Sequence, residues 1–107
     1  MTELITLADP RSAAAEAYRA LRTNLGFARP GEPLRTLMVA SPSTTEAGSE
    51  TLANLAVVTA QSGKRVLVVD ADLRRPEQHA LLGVGNERGL TSVLVDEAAL
   101  EQAVQET

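Results

Sequence analysis

Two carboxylates two residues apart, Asp70 and Asp72, stand directly after the apolar run Val66, Leu67, Val68 and Val69, and Arg74 and Arg75 follow them. Carboxylate oxygens are hard ligands of the kind magnesium takes, directly or through its own waters. An apolar run without alternation suits a strand covered on both faces, as in a parallel sheet. Ligands of open parallel sheets sit at the carboxyl ends of the strands. The stretch R-V-L-V-V-D-A-D-L-R-R-P, Arg65 to Pro76, therefore reads as a strand leading into a magnesium site. It reads equally as a strand stopped by a solvated loop, because Asp and Pro are common turn residues.

A second place for chemistry lies upstream. Ser41 to Gly48 is a polar loop between an apolar segment and a helix. Backbone N–H groups and the helix dipole at such a junction favour an anion. A loop that wraps nucleotide phosphates needs several glycines and a bridging lysine. This loop has one glycine, Gly48, and no lysine; the single lysine of the chain, Lys64, lies beyond the helix. Ser49 could give a hydroxyl to magnesium, or simply cap the helix. On its own residues the loop fails the phosphate-loop pattern.

The elements that must position these residues follow from periodicity. Leu34 to Ala40 reads as a strand with Leu37, Met38, Val39 and Ala40 buried. A helix is expected from about Ser49 to Ser62, with Leu52, Leu55, Ala56, Thr59 and Ala60 on one face and Gly63 as its stop. With the strand at Arg65–Val69 this makes a βαβ unit, right-handed almost without exception. Upstream, Met1 to Pro10 reads as an extended lead, and Asp9-Pro10 or Ser12 can start a helix. From Ala13 to Ala28 the chain is alanine-rich, and Ala14, Tyr18, Leu21, Leu25 and Ala28 form one apolar stripe. Glu16, Arg19 and Arg22 lie mostly off it, where Glu16 and Arg19 can pair on the surface. Arg29 to Pro33 is a linker. After Asp96 comes a short amphipathic helix, Glu97 to Gln105, with Leu100, Ala103 and Val104.

Composition narrows the classes. At 107 residues the chain is one small domain, with no cysteine for disulfides or thiolate metal sites. A net charge of -4 argues against broad nucleic-acid binding, and with only Tyr18 and Phe27 as aromatics there is little to stack on bases. No apolar run approaches the roughly 20 residues of a membrane span. Met1 to Pro10 lacks the basic start and long apolar stretch of a signal peptide. A reducing cytoplasm fits these features.

Read together, the pieces resemble the cytoplasmic domain of bacterial tyrosine kinases of the CpsD/CapB type, which act in capsular and exopolysaccharide synthesis. E-A-Y-R-A-L-R is similar to the family's E-x-x-R-x-x-R self-association motif at Glu16, Arg19 and Arg22. L-R-T-L-M-V-A-S-P resembles the strand entering the nucleotide loop. The segment from Thr51 through D-A-D-L-R-R-P resembles the following helix and the second acidic motif, matching Asp70, Asp72 and Arg74. Gly83 to Leu94 is similar to the segment after it.

The resemblance implies an α/β fold: a truncated P-loop-like domain with a doubly wound parallel sheet at 34–107, preceded by an association helix and linker at 1–33. It implies catalytic and magnesium-binding roles for Asp70 and Asp72, a metal-binding hydroxyl at Ser49, and nucleotide contacts from Glu46, Gly48, Ser49 and Arg74. It implies ATP and magnesium as cofactors, a homo-oligomer built on Glu16, Arg19 and Arg22, and a membrane polysaccharide co-polymerase or adaptor as partner. Two departures bear on activity. Where the family reads S-P-x-P-G-E-G-K-S-T-T, this chain reads S-P-S-T-T-E-A-G-S-E-T, so Thr45 and Ala47 replace glycines, Gly48 replaces the lysine and Glu50 a threonine. The family domain is also about twice as long, in line with ordinary α/β domain sizes, and its third acidic motif and C-terminal tyrosine cluster have no counterpart. The expectation is a non-catalytic kinase-like domain acting through oligomerisation or partner binding; a weakly active ATP-dependent tyrosine kinase and a non-functional gene fragment are the alternatives.

Overall fold

The computed structural model describes residues 3–42 and 47–107. Among these residues the regular elements are helices: α1 (Ile5–Ala8), α2 (Ala13–Gly26), α3 (Ala47–Gln61), α4 (Gln78–Leu81), α5 (Leu90–Leu94) and α6 (Leu100–Ala103). The chain forms two compact units, one ending at Leu67 and the other beginning at Val68.

The first unit is a packing of α1, α2 and α3. The expected extended lead is instead the short helix α1, with Leu7 and Ala8 N–H groups both donating to the Leu4 carbonyl, at 2.9 and 2.8 Å. Burial explains it: Leu4 and Thr6 are almost fully enclosed. Enclosing a leucine contributes about 2 kcal/mol, enough to hold a single turn that would not persist alone. Helix α2 starts as expected at Ser12, whose Oγ accepts from the Ala15 N–H at 3.1 Å and donates to the Asp9 carbonyl at 2.8 Å. Its buried side is turned by about one residue from the expected stripe. Ala15 is fully enclosed and Tyr18, Arg19, Arg22 and Leu25 are half-buried, whereas Ala14 and Leu21 face solvent. Alanine occurs at both 14 and 15, so the pattern alone leaves the phase open. The arginines settle it by laying apolar stems on the interface.

Helix α3 buries Ala53, Asn54, Leu55 and Val58, while Ala60, expected inside, is exposed. It ends where expected. Gly63 takes φ +92 just past the helix, and its N–H donates to the Ala60 carbonyl at 3.0 Å. Glycine occupies that left-handed conformation without the Cβ penalty.

The two expected strands are not formed among the described residues: Leu34–Ala40 and Arg65–Val69 carry no strand pairing. Their apolar side chains are open to solvent, with Met38 86 % exposed and Leu67 62 %. A parallel strand is stable only with neighbours beside it and helices on both faces, and two strands make a poor sheet. The apolar runs are as read; the neighbours that would turn them into a buried sheet are not supplied by the described residues.

The second unit holds α4, α5 and α6. Among its described residues Gln78 is the one that is buried. The expected helix Glu97–Gln105 shrinks to Leu100–Ala103 because the chain is committed elsewhere on both sides. Glu97 and Ala98 N–H groups donate to the Ser92 carbonyl after a turn with Asp96 at φ 61, and Gln105 Nε2 donates to the Gly85 carbonyl at 2.9 Å. Among the described residues no helix is long and apolar enough to cross a membrane.

Candidate functional site

The acidic pair sits in the second unit and organises its own loop. Asp70 Oδ1 accepts from the Asp72 N–H at 3.0 Å. Asp70 Oδ2 accepts from the Glu77 and Gln78 N–H groups, both at 3.1 Å, at the start of α4. Asp72 Oδ1 accepts from the Arg75 N–H at 3.1 Å. Asp70 is half-buried, and Asp72 and Arg74 are exposed. The two carboxylates thus satisfy backbone donors that a tight loop cannot pair with itself, the usual reason for Asp in turns. Among the described residues no three His, Asp or Glu side chains come together as a metal site.

The loop expected to hold nucleotide is described from Ala47 onward and up to Pro42; Glu46, with Thr45, falls outside the described residues. Gly48 is the second residue of α3, half-buried beside Ser41. A Cβ placed on Gly48 would lie 2.8 Å from Ser41 Cβ and 3.4 Å from its Oγ. The position where the resembled pattern has lysine is therefore closed to any side chain unless Ser41 moves. Ser49 and Glu50 are half-buried on the first turn of α3. A side chain at position 48 requires Ser41 to move, and both oxygens of Asp70 take backbone donors.

The three helix residues have unlike surroundings. Arg19 Nε and Nη2 donate to Glu16 Oε2 at 3.1 and 3.0 Å, and Nη2 also donates to the Pro10 carbonyl. Glu16 is 72 % exposed and Arg19 25 %. Arg22 faces inward, where its Nη1 donates to the Val58 carbonyl at 2.8 Å, 36 residues along the chain.

Sequence reasoning missed the polar centre of the first unit. Asn54 Oδ1 accepts from the Thr6 hydroxyl at 2.7 Å and the Thr6 N–H at 3.2 Å, and Asn54 Nδ2 donates to the Glu50 carbonyl at 2.9 Å. The available signal was an Asn in the middle of an apolar helix, where a polar group is tolerated when it is paired.

The geometry has close counterparts. No family model matches the chain. Among solved structures, the chimerical protein CapA2B2 superposes with a TM-score of 0.85 at 34 % identity, over 92 % of this chain and 43 % of that one. The fold of this chain is that of the corresponding part of CapA2B2. In sequence it is homologous to the bacterial tyrosine-protein kinases across most of its length. The tyrosine-protein kinase YwqD of Bacillus subtilis is 46 % identical over 102 residues, covering 95 % of this chain and 43 % of YwqD. The tyrosine-protein kinase Etk of Escherichia coli is 39 % identical over 97 residues, covering 91 % of this chain and 13 % of Etk. The tyrosine-protein kinase Wzc of Salmonella typhi is 35 % identical over 106 residues, or 99 % of this chain and 15 % of Wzc. The chain thus spans less than half the length of these relatives.

Proposed function

We propose that this chain is a kinase-like domain of the capsular and exopolysaccharide machinery that works by association rather than by phosphoryl transfer. The observation that carries this is position 48. The chain is 46 % identical to a tyrosine-protein kinase, yet a glycine stands where the resembled pattern has its phosphate-binding lysine, and a Cβ added there would lie 2.8 Å from Ser41 Cβ. A kinase of the P-loop type depends on that lysine and on magnesium to hold the phosphates of ATP. Losing a charge-assisted contact costs about twice a neutral one, and Glu50 adds a like charge beside the phosphates. Asp70 and Asp72 serve the loop they sit in, and Glu46, Ser49 and Arg74 have no nucleotide to meet.

On this reading Leu34–Ala40 and Arg65–Val69 enter a parallel, P-loop-like sheet once further strands cover them. Their exposed aliphatic side chains support that. Helix α2 presents Glu16 and Arg19 to a second copy, and a membrane polysaccharide co-polymerase or adaptor holds the assembly at the inner face of the membrane, in the cytoplasm. Multi-angle light scattering on wild type and Arg19→Ala tests this, beside a phosphotransfer assay with labelled ATP and a tyrosine peptide. The expected outcome is an oligomer that Arg19→Ala shrinks and no label above background. A monomeric wild type, or magnesium-dependent transfer, would refute it.

A further inference from the structure

The chain changes character at Pro10. From there onward it is fastened to α2: Arg19 Nη2 donates to the Pro10 carbonyl, and Ser12 Oγ caps the helix by accepting from the Ala15 N–H at 3.1 Å. Before Pro10 stands α1, a single turn too short to persist alone. We propose that residues 4–8 are a strap that lifts from α3 and closes on it as one unit while α2 and α3 stay packed, with Asn54 as its clasp and Asp9 as its hinge. The proposal is independent of how the chain associates.

Two side chains hold the strap down. Leu4 and Thr6 are enclosed, Ile5 is half-buried, and Leu7 and Ala8 face solvent. Among the described residues, the hydrogen bonds from α1 to α3 converge on one atom. Asn54 Oδ1 accepts from the Thr6 hydroxyl at 2.7 Å and from the Thr6 N–H at 3.2 Å. The other bonds of α1 are its own: the Leu7 and Ala8 N–H groups donate to the Leu4 carbonyl, and that of Asp9 to the Ile5 carbonyl. Asp9 itself leaves the helical region, with φ -140 and ψ 80, and its carbonyl is held by Ser12. The turn can therefore leave α3 by parting from a single side chain. Helices α2 and α3 keep an attachment of their own, the Arg22 Nη1 bond to the Val58 carbonyl at 2.8 Å. Asn54 also keeps its place, because its Nδ2 donates to the Glu50 carbonyl inside α3 at 2.9 Å. When the strap lifts, water takes up Oδ1 and the Thr6 donors, so no group is left unpaired. A polar clasp thus releases where an apolar one would bind α1 into the core. Opening uncovers Asn54 and the seat of Leu4.

Native-state amide exchange on the 107-residue chain, read residue by residue without urea and at low urea, tests the strap. The Thr6, Leu7, Ala8 and Asp9 amides should share one degree of protection. Corrected for intrinsic rates, they should exchange at least about tenfold faster than those of residues 55–59. They should respond little to urea, because lifting one turn exposes little surface, while residues 55–59 respond steeply. Thr6→Val keeps the shape and removes the hydroxyl bond; it should quicken all four amides together by about fivefold. The chain has no cysteine, so Leu4→Cys and Val58→Cys each place a single thiol at an enclosed position. The first should react with a thiol reagent about tenfold faster than the second, again with the weaker urea dependence. Equal protection, equal thiol reactivity or equal urea response in α1 and α3 would overturn the strap, since the two would then open as one unit. Protection that falls away gradually toward the N-terminus, or a Thr6→Val effect that is absent or confined to position 6, would overturn it too, because simple fraying gives that pattern.

Discussion

Replacing Asp70 by asparagine separates the two roles an acidic pair can have. The substitution keeps the shape and removes one acceptor, since asparagine has one oxygen and one NH2 where aspartate has two oxygens. In the structure both oxygens are in use: Oδ1 takes the Asp72 N–H, and Oδ2 takes those of Glu77 and Gln78. An asparagine can serve one side, and its NH2 then meets a backbone donor on the other. Keeping Glu77 and Gln78 loses the Asp72 bond and makes the other two neutral. A hydrogen bond to a charged group contributes about 1.5–3 kcal/mol, and for a half-buried carboxylate the lower end applies, about 1.5–2 kcal/mol. At about 4–8 °C per kcal/mol, the melt should fall by about 10 °C. Scanning calorimetry in EDTA is the assay. A pair kept only for magnesium gives the opposite sign: without metal, two like charges two residues apart repel, and neutralising one leaves the melt unchanged or raises it. An unchanged or higher melt for Asp70→Asn in EDTA would therefore refute the loop role.

Asn54→Ala leaves the enclosed Thr6 hydroxyl and N–H without their acceptor and should cost about 2–4 kcal/mol in urea unfolding, while Thr6→Val, which removes one donor and keeps the shape, should cost about 1 kcal/mol. Gly63→Ala, at φ +92, should destabilise by about 1 kcal/mol by the same measurement. Gly48→Lys forces a Cβ against Ser41 and should cost about 1–3 kcal/mol, as overpacking does, without creating ATP binding detectable by calorimetry. The exposed aliphatic side chains of Leu34, Leu37, Met38, Leu67 and Val69 predict that the isolated chain either self-associates or melts below about 65 °C, the upper end for mesophile domains.

What the sequence disclosed depended on whether the signal was local. Ser12 as helix start and Gly63 past a helix end are local facts, and both stand in the structure. The rotation of α2 is not local. Ala14 and Ala15 are equivalent in the pattern, and the partner helix decides which is enclosed. The same holds for Arg22, which reads as a surface residue until α3 brings the Val58 carbonyl to it. Strands are the extreme case. The aliphatic runs at Leu34–Ala40 and Arg65–Val69 are plain in the sequence, but a strand exists only with a partner, and no periodicity supplies one. Thr6 escaped notice because its pairing with Asn54 spans 48 residues. The resemblance to tyrosine kinases was legible from ordered motifs, and homology over most of the chain agrees with it.

Whether this chain holds nucleotide is decided by titrating ATP with magnesium into the 107-residue protein in a calorimeter. With glycine for lysine at position 48 and Ser41 packed against it, binding should be no tighter than about 1 mM, roughly -4 kcal/mol. A dissociation constant in the micromolar range, about -8 kcal/mol, would contradict a kinase-like domain that has given up its phosphate site.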